Sequence, residues 1–192
     1  MIKLSDPRIV QFDKAVKLRK ESTDAFLDYW RDHALYASLE YWIMVAILLV
    51  PLIFLVFKID KSKMFLIGFY GYSIHVLAAY IDLFAINSGK WNYPFPLLPF
   101  LPSVSIDTSI VPVTFMLVYQ WTLNYKKNFY VYSTITAGFF ALIFKPVLVG
   151  LGLFRMYGHM NYFYLLIIYI LGFLTAKLIT NVFIWLQKKY TK

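Results

Sequence analysis

Residues 82–120 read DLFAINSGKWNYPFPLLPFLPSVSIDTSIVPVTFMLVYQ. Asp82 lies near the end of one long apolar run, and Asp107 near the start of the next. Between them, Pro94, Pro96, Pro99 and Pro102 exclude a regular helix, because proline donates no backbone N–H and clashes with the preceding turn. Phe95, Leu97, Leu98, Phe100 and Leu101 make this connector too apolar for a free loop. Non-helical backbone at membrane depth must be covered by protein or water. The connector is therefore expected to fold back as a lid or re-entrant segment, with the two acids at similar depth on one side of a membrane.

The rest of the chain fits that frame. Of 192 residues, 60% are apolar and 20% aromatic. The apolar runs predict an all-α integral membrane protein, a five-helix bundle with spans near 37–57, 64–86, 104–125, 129–150 and 162–186. About 20 to 25 residues cross about 30 Å of hydrocarbon with some tilt. The expected organisation is a polar tail over 1–36, a membrane domain over 37–186 and a basic tail over 187–192. There is no cysteine, hence no disulfide or thiolate chemistry. The ten acids and nineteen bases, net +9, lie mostly in the first 36 residues and in short gaps between apolar runs, which marks basic loops rather than a nucleic-acid binder. Residues 1–33 contain no apolar signal-peptide core, so the first span is expected to act as an uncleaved insertion signal.

Within the tail, Asp6-Pro7 reads as a helix N-cap and first turn. Ile9, Phe12, Val16, Thr23, Leu27 and Trp30 then fall near one side of an amphipathic helix, with Glu21–Asp24 a candidate break. A solvated tail with a few buried anchors is the alternative.

Five spans put the termini on opposite sides. Side A holds the tail, residues 87–103 and residues 151–161; side B holds 58–63, 126–128 and the C-terminus. Near the span ends, side B has eight bases (Lys58, Lys61, Lys63, Lys126, Lys127, Lys188, Lys189, Lys192) against six on side A (Lys17, Arg19, Lys20, Arg31, Lys90, Arg155). The positive-inside rule then places the C-terminus in the cytoplasm. Trp30, Trp42 and Trp91 near one rim, with Trp121 and Trp185 near the other, fit two aromatic belts.

Ionisable residues inside spans are expensive in lipid and face the bundle interior. By depth, Glu40, Asp82, Asp107, Lys145, Arg155 and His159 converge on side A, with His75 deeper and Lys177 and Gln120 towards side B. Gly68, Gly71, His75, Ala78 and Asp82 form a small and polar stripe; Thr134, Gly138, Ala141 and Lys145 form another. Stripes ending in Asp82 and Lys145 on facing helices predict an acid–base pair. Such a pair either merely locks the bundle or belongs to a functional polar pocket. Trp91 and Tyr93 are the candidate floor of that pocket. His75 reads better as a hydrogen-bonded core residue than as a relay. His33, His159, Glu40, Asp82 and Asp107 are residues of metal-ligating type, but no H-E-x-x-H or paired E-x-x-H spacing joins them, so no metal and no cofactor is expected. Nucleophile, P-loop and dinucleotide motifs are absent.

The ordered segments FLDYWRDH (26–33), PLIFLVFKIDK (51–61), Asp82, WNYP (91–94), LPFLP (98–102), IDTSIVPVTFMLVYQ (106–120) and KPVLVGLG (145–152) resemble an uncharacterised family of small multi-spanning membrane proteins. Its members come from Gram-positive, largely spore-forming bacteria. The resemblance covers roughly residues 26–186 and implies a bacterial cytoplasmic-membrane protein, with no established activity to carry over. Matching positions are Tyr29, Trp30, His33, Asp60, Asp82, Trp91, Tyr93, Pro94, Asp107, Pro112, Tyr119, Gln120 and Pro146. The family pattern places an acid before the position of Pro146, where this chain has Lys145, so an Asp82–Lys145 pair is not implied by the resemblance.

Three functions are compatible with these residues. The first is binding or transport of a small polar or cationic solute, with Asp82 and Asp107 supplying charge and Trp91 and Tyr93 cation–π contact. The second is a membrane enzyme acting on a lipid headgroup or isoprenoid, with the same acids as general base or metal ligands. The third is a structural or interaction subunit that docks a protein partner through residues 1–33. The lipid bilayer is the common partner.

Overall fold

The structure is a computed structural model and describes residues 6–190. The outermost parts of both expected tails, including Lys192, lie outside the described residues. Helix α1 (Pro7–His33) begins as expected, with the Asp6 carboxylate accepting from the Arg8 N–H and proline in the first turn. It runs unbroken through Glu21–Asp24. Leu27 and Trp30 are half-buried, whereas Phe12 and Val16 are exposed. Two contacts hold α1 on side A: Trp30 Nε1 donates to the Pro96 carbonyl (2.9 Å) and Arg19 donates to Asn87 (3.5 Å).

Among the described residues, four helices are long and apolar enough to cross a membrane: Leu39–Lys58, Lys61–Asn87, Phe129–Gly150 and Tyr162–Tyr190. Their outward faces carry side chains such as Phe57 (79% exposed) and Phe65 (89% exposed). Aliphatic and aromatic surface on this scale suits lipid and not water. The chain has the make-up of a multi-pass membrane protein.

The elements follow in order: α2 (Leu39–Lys58), α3 (Met64–Asn87), strand β1 (Trp91–Asn92), a π-helical turn Ile106–Ile110 running into α4 (Val111–Asn124), α5 (Phe129–Phe139), a second π turn Phe140–Phe144 running into α6 (Lys145–Gly150), strand β2 (Arg155–Met156) and α7 (Tyr162–Tyr190). The expected third span, 104–125, corresponds to the first π turn and α4 and is not among the four apolar helices. It is the most buried of the set, with Val111, Pro112, Val113, Phe115, Met116, Tyr119 and Thr122 all in the core. Helix α3 packs against α4 and α7, α5 against α4 and α7, and the second π turn against α7. Helix α2 leans on the first π turn and α4, and Met44 is its one buried residue.

Each π turn stands directly before a helical proline, Pro112 or Pro146. A proline in a continuous α-helix leaves one carbonyl without its donor and presses its ring on the preceding turn. An extra residue in that turn relieves the clash, and such π bulges concentrate at functional sites. The extra residue also rotates everything on its far side. This overturns the expected stripe Thr134–Gly138–Ala141–Lys145. Thr134 is exposed, and Ser133, Ala137, Ala141 and Lys145 are the buried positions instead.

Helices α3 and α6 end in the same way. Gly89 (φ +62°) and Gly152 (φ +72°) take the left-handed conformation that glycine adopts without strain. Lys90 N–H then reaches back to the Ala85 carbonyl, and Leu153 N–H to the Leu148 carbonyl, each at 2.8 Å. These are Schellman C-caps. Both chains leave their helices into strands that pair antiparallel, Trp91 with Met156 and Asn92 with Arg155.

At the far end of the bundle, Gln120 brackets the turn after α2. Its Oε1 accepts from the Asp60 N–H (2.7 Å) and its Nε2 donates to the Lys58 carbonyl (2.9 Å). Hydrogen bonds from the Ser62 hydroxyl and then Lys63 hold the Asp60 carboxyl down to a pKa of about 2.

Candidate functional site

The paired strands carry Trp91 and Tyr93 from one connector and Phe154 from the other over the ends of α3 and α6, and all three side chains are buried. Beneath them Asp82 is fully engaged. Its Oδ1 accepts from Trp91 Nε1 (2.8 Å) and its Oδ2 from the Tyr93 hydroxyl (2.6 Å). The Tyr93 oxygen in turn accepts from Lys145 Nζ (3.0 Å). The expected acid–base pair is thus a relay through a phenol and not a direct contact. Burial, then the Asp82 charge, push the Tyr93 pKa up, so the phenol keeps its proton and donates.

Lys145 sits with its ammonium 3.8 Å from the Phe154 ring centre and 5.0 Å from that of Tyr93. Of the two aromatic faces expected to meet a cationic ligand, that of Tyr93 is therefore already met by Lys145. Trp91 is likewise no belt residue, being 3% exposed with its indole N–H committed to Asp82.

Asp107 comes in from the first π turn. Its backbone carbonyl accepts from His75 Nδ1 (2.9 Å), which fixes the proton on that nitrogen, since a carbonyl can only accept. That places His75 where a structural histidine belongs. The Asp107 side chain approaches Asp82, Ser103 and Lys145. Its Oδ2 is buried with no hydrogen-bond partner. Beside it lies a cavity of about 50 Å³, whose polar end is Asp82, Trp91, Asp107 and Lys145. Its walls are apolar and come from α3, α4 and α7, with Tyr169 at their edge.

The cluster brings two carboxyl groups and one amine together out of water. An orphaned buried carboxylate oxygen costs several kcal/mol unless water, a proton or a cation meets it. The cavity admits such small species, whereas drug-sized ligands need about 300–1,000 Å³.

The other sequence candidates stand elsewhere. Glu40 is half-buried near the start of α2 and lines neither this cavity nor the outer groove. His159 is exposed. Arg155, also exposed, lines a separate outer groove of about 470 Å³ with Tyr29, Pro94, Phe95 and Phe154. Phe154 thus separates that groove from Lys145. Among the described residues, no three His, Cys, Asp or Glu side chains gather around a metal-sized point.

Sequence reasoning missed Phe154 and Tyr169. Gly152 marked the turn that delivers Phe154, and four-residue steps from Tyr169 through Phe173 to Lys177 marked the inner side of α7. No protein-family model, curated protein or solved structure matches this chain.

Proposed function

We propose that this chain is a bacterial cytoplasmic-membrane protein that crosses the membrane five times and binds or carries a small cationic solute at the Asp82–Asp107 chamber. The observation that carries the proposal is that Asp107, whose Oδ2 is buried without a hydrogen-bond partner, lines a cavity of about 50 Å³ together with Asp82 and Lys145. The cavity size narrows the solute to a proton, a bare monovalent cation or an ammonium-sized ion.

Parity supports the fifth crossing. Trp91 pairs with Met156, so the ends of α3 and α6 share one side, and an even number of crossings separates them. Phe129–Gly150 supplies one. The helix carrying Asp107 at one end and Gln120 at the other supplies the second, because Asp107 meets Asp82 while Gln120 meets the Lys58–Asp60 turn. The basic loops then favour a cytoplasmic C-terminus.

The test is thermal unfolding of the detergent-purified protein with sodium, potassium, ammonium and methylammonium chlorides at matched ionic strength, and across pH. A bound cation at a hundredfold excess over its Kd stabilises the fold by about 2.7 kcal/mol. Wild type should gain that stability with at least one cation or with protons, Asp107→Asn should lose the gain, and Arg155→Gln in the outer groove should keep it. Equal responses in wild type and Asp107→Asn would refute the proposal. A second reading, an enzyme acting on a lipid headgroup, is favoured by the apolar cavity walls Leu77, Ile81 and Ile168, which are half-exposed on α3 and α7. It requires turnover of an added lipid that stops in Asp107→Asn.

A further inference from the structure

A second polar layer lies on the other side of the bundle core. Lys177 Nζ donates to the Tyr119 hydroxyl (2.8 Å) and stands 4.2 Å from the Tyr119 ring centre and 5.3 Å from that of Phe129. The Tyr70 and Tyr119 rings are 4.7 Å apart. The Tyr70 hydroxyl and Ser133 Oγ approach each other, yet neither is in hydrogen-bonding geometry with any partner, and both are buried. Like Asp107 Oδ2, they are orphaned polar atoms inside a membrane bundle, and such atoms call for water.

The two layers are in register on three helices. Asp82 and Tyr70 are twelve residues apart on α3, Asp107 and Tyr119 twelve apart through α4, and Lys145 and Ser133 twelve apart through α5 and α6. At about 1.5 Å per residue this puts roughly 18 Å between the layers.

What lies between them is apolar. Phe115 packs on Phe140 and Phe173 with ring centres 6.1 and 6.0 Å apart, and Phe173 touches Phe129 of the second layer at 6.0 Å. Ala137 and Ala141 fill the α5 side of this layer and are fully buried. Phe115 and Phe173 also line the Asp107 cavity, so the apolar layer starts where the first polar layer stops. Hydrophobic constrictions of this kind gate by excluding water.

We propose that the bundle core is a gated proton pathway: Asp107 takes up a proton from water on side A, and the Tyr70–Tyr119–Lys177 layer passes it to side B when water bridges the Phe115–Phe140–Phe173 layer. Only O–H and N–H bonds form and break, and the proton that leaves Asp107 Oδ2 appears in the water of side B. A proton suits this path better than a metal cation. The titratable groups around Asp107 are His75 and Asp82 on α3, Tyr93 on the connector, Lys145 on α6 and Tyr169 on α7, and the second layer adds phenols, a serine and an amine. All exchange protons: the Lys177 ammonium releases one towards side B before its amine takes the next from the Tyr119 hydroxyl, and while charged it repels a passing sodium or potassium ion. The proposal rests on the reading of Asp107 as a cation site.

The test reconstitutes the full chain into liposomes holding a pH-sensitive dye and imposes a potassium–valinomycin potential. Phe173→Ser and Ala137→Ser each place a hydroxyl in the apolar layer, and the second is small enough to fold where the first does not. Either should raise proton flux about tenfold or more over wild type, the effect of a barrier lowered by a single tenfold step. Adding Asp107→Asn should return the flux to that of empty liposomes, and a sodium gradient imposed at the same potential should leave the proton flux of the single variants unchanged. Folded Ala137→Ser protein with flux no greater than wild type overturns the pathway, as does flux that survives Asp107→Asn. Cation- or proton-dependent stabilisation of wild type, read separately by thermal unfolding, shows which idea has failed: if it persists without flux, Asp107 is a binding site with no path beyond it.

Discussion

Tyr93 holds the site together through one oxygen atom, which donates to Asp82 and accepts from Lys145. An ordinary interhelical hydrogen bond in a membrane protein contributes about 0.6 kcal/mol on average. The Tyr93 hydroxyl serves two buried groups, Asp82 and Lys145, and without it Lys145 loses its hydrogen bond, so Tyr93→Phe should cost about 1–3 kcal/mol. Chemical unfolding in mixed micelles measures this, and a loss below the ordinary value would show that Asp82 and Lys145 have other support. Depth was legible in sequence for each of these side chains, since it follows from distance along a helix; Asp82, Asp107 and Lys145 do meet. Azimuth was not. Glu40, Arg155 and His159 share the same depth yet point elsewhere, because one-dimensional spacing does not say how neighbouring helices are rotated. Nothing local in W-N-Y-P shows that a tyrosine hydroxyl would stand between an acid and a base.

Among the elements, four of the five expected apolar runs correspond to helices long and apolar enough to cross a membrane; Phe129–Gly150 coincides with its expectation, the last helix runs on to Tyr190, and 104–125 is not among the four. Composition alone sets such limits. The π turns were not read, although Pro112 and Pro146 inside apolar runs were their signal; missing them moved the inner face of α5 by one position. The small stripe on α3 faces inward from Gly71 to Asp82, with His75 on the Asp107 carbonyl and Ala78 and Asp82 lining the cavity, and fails at Gly68. A Cβ built on Gly71 collides with the Met116 side chain of α4, whereas Gly68 has open space around it. Gly71→Ala should therefore destabilise the α3–α4 contact by about 1–3 kcal/mol. Gly68→Ala should be neutral or slightly stabilising, since alanine favours helix. Met116→Ala in the Gly71→Ala background should recover part of the loss, a coupling that a double-mutant cycle measures. Additive losses would show that the helices do not touch at that point.

For the whole molecule, the absence of native cysteine makes topology directly measurable. Single-cysteine variants Ser62→Cys, Lys127→Cys, Ser88→Cys and His159→Cys, probed with a membrane-impermeant maleimide in intact cells and inverted vesicles, should divide into two pairs. With five crossings, Ser62 and Lys127 label from the cytoplasmic side, and Ser88 and His159 from the other. If 104–125 did not cross, Lys127 would join Ser88. The antiparallel ribbon of Trp91–Asn92 and Arg155–Met156 has a mechanical meaning as well. It staples α3 to α6 at one end, with Asp82 gripping both donors of the ribbon's inner face. Two rods pinned together at one end can part only at the other. Any motion that separates α3 from α5 and α6 therefore swings like a pair of compasses, with its pivot over the acids and its widest gap among Tyr70, Ser133 and Lys177.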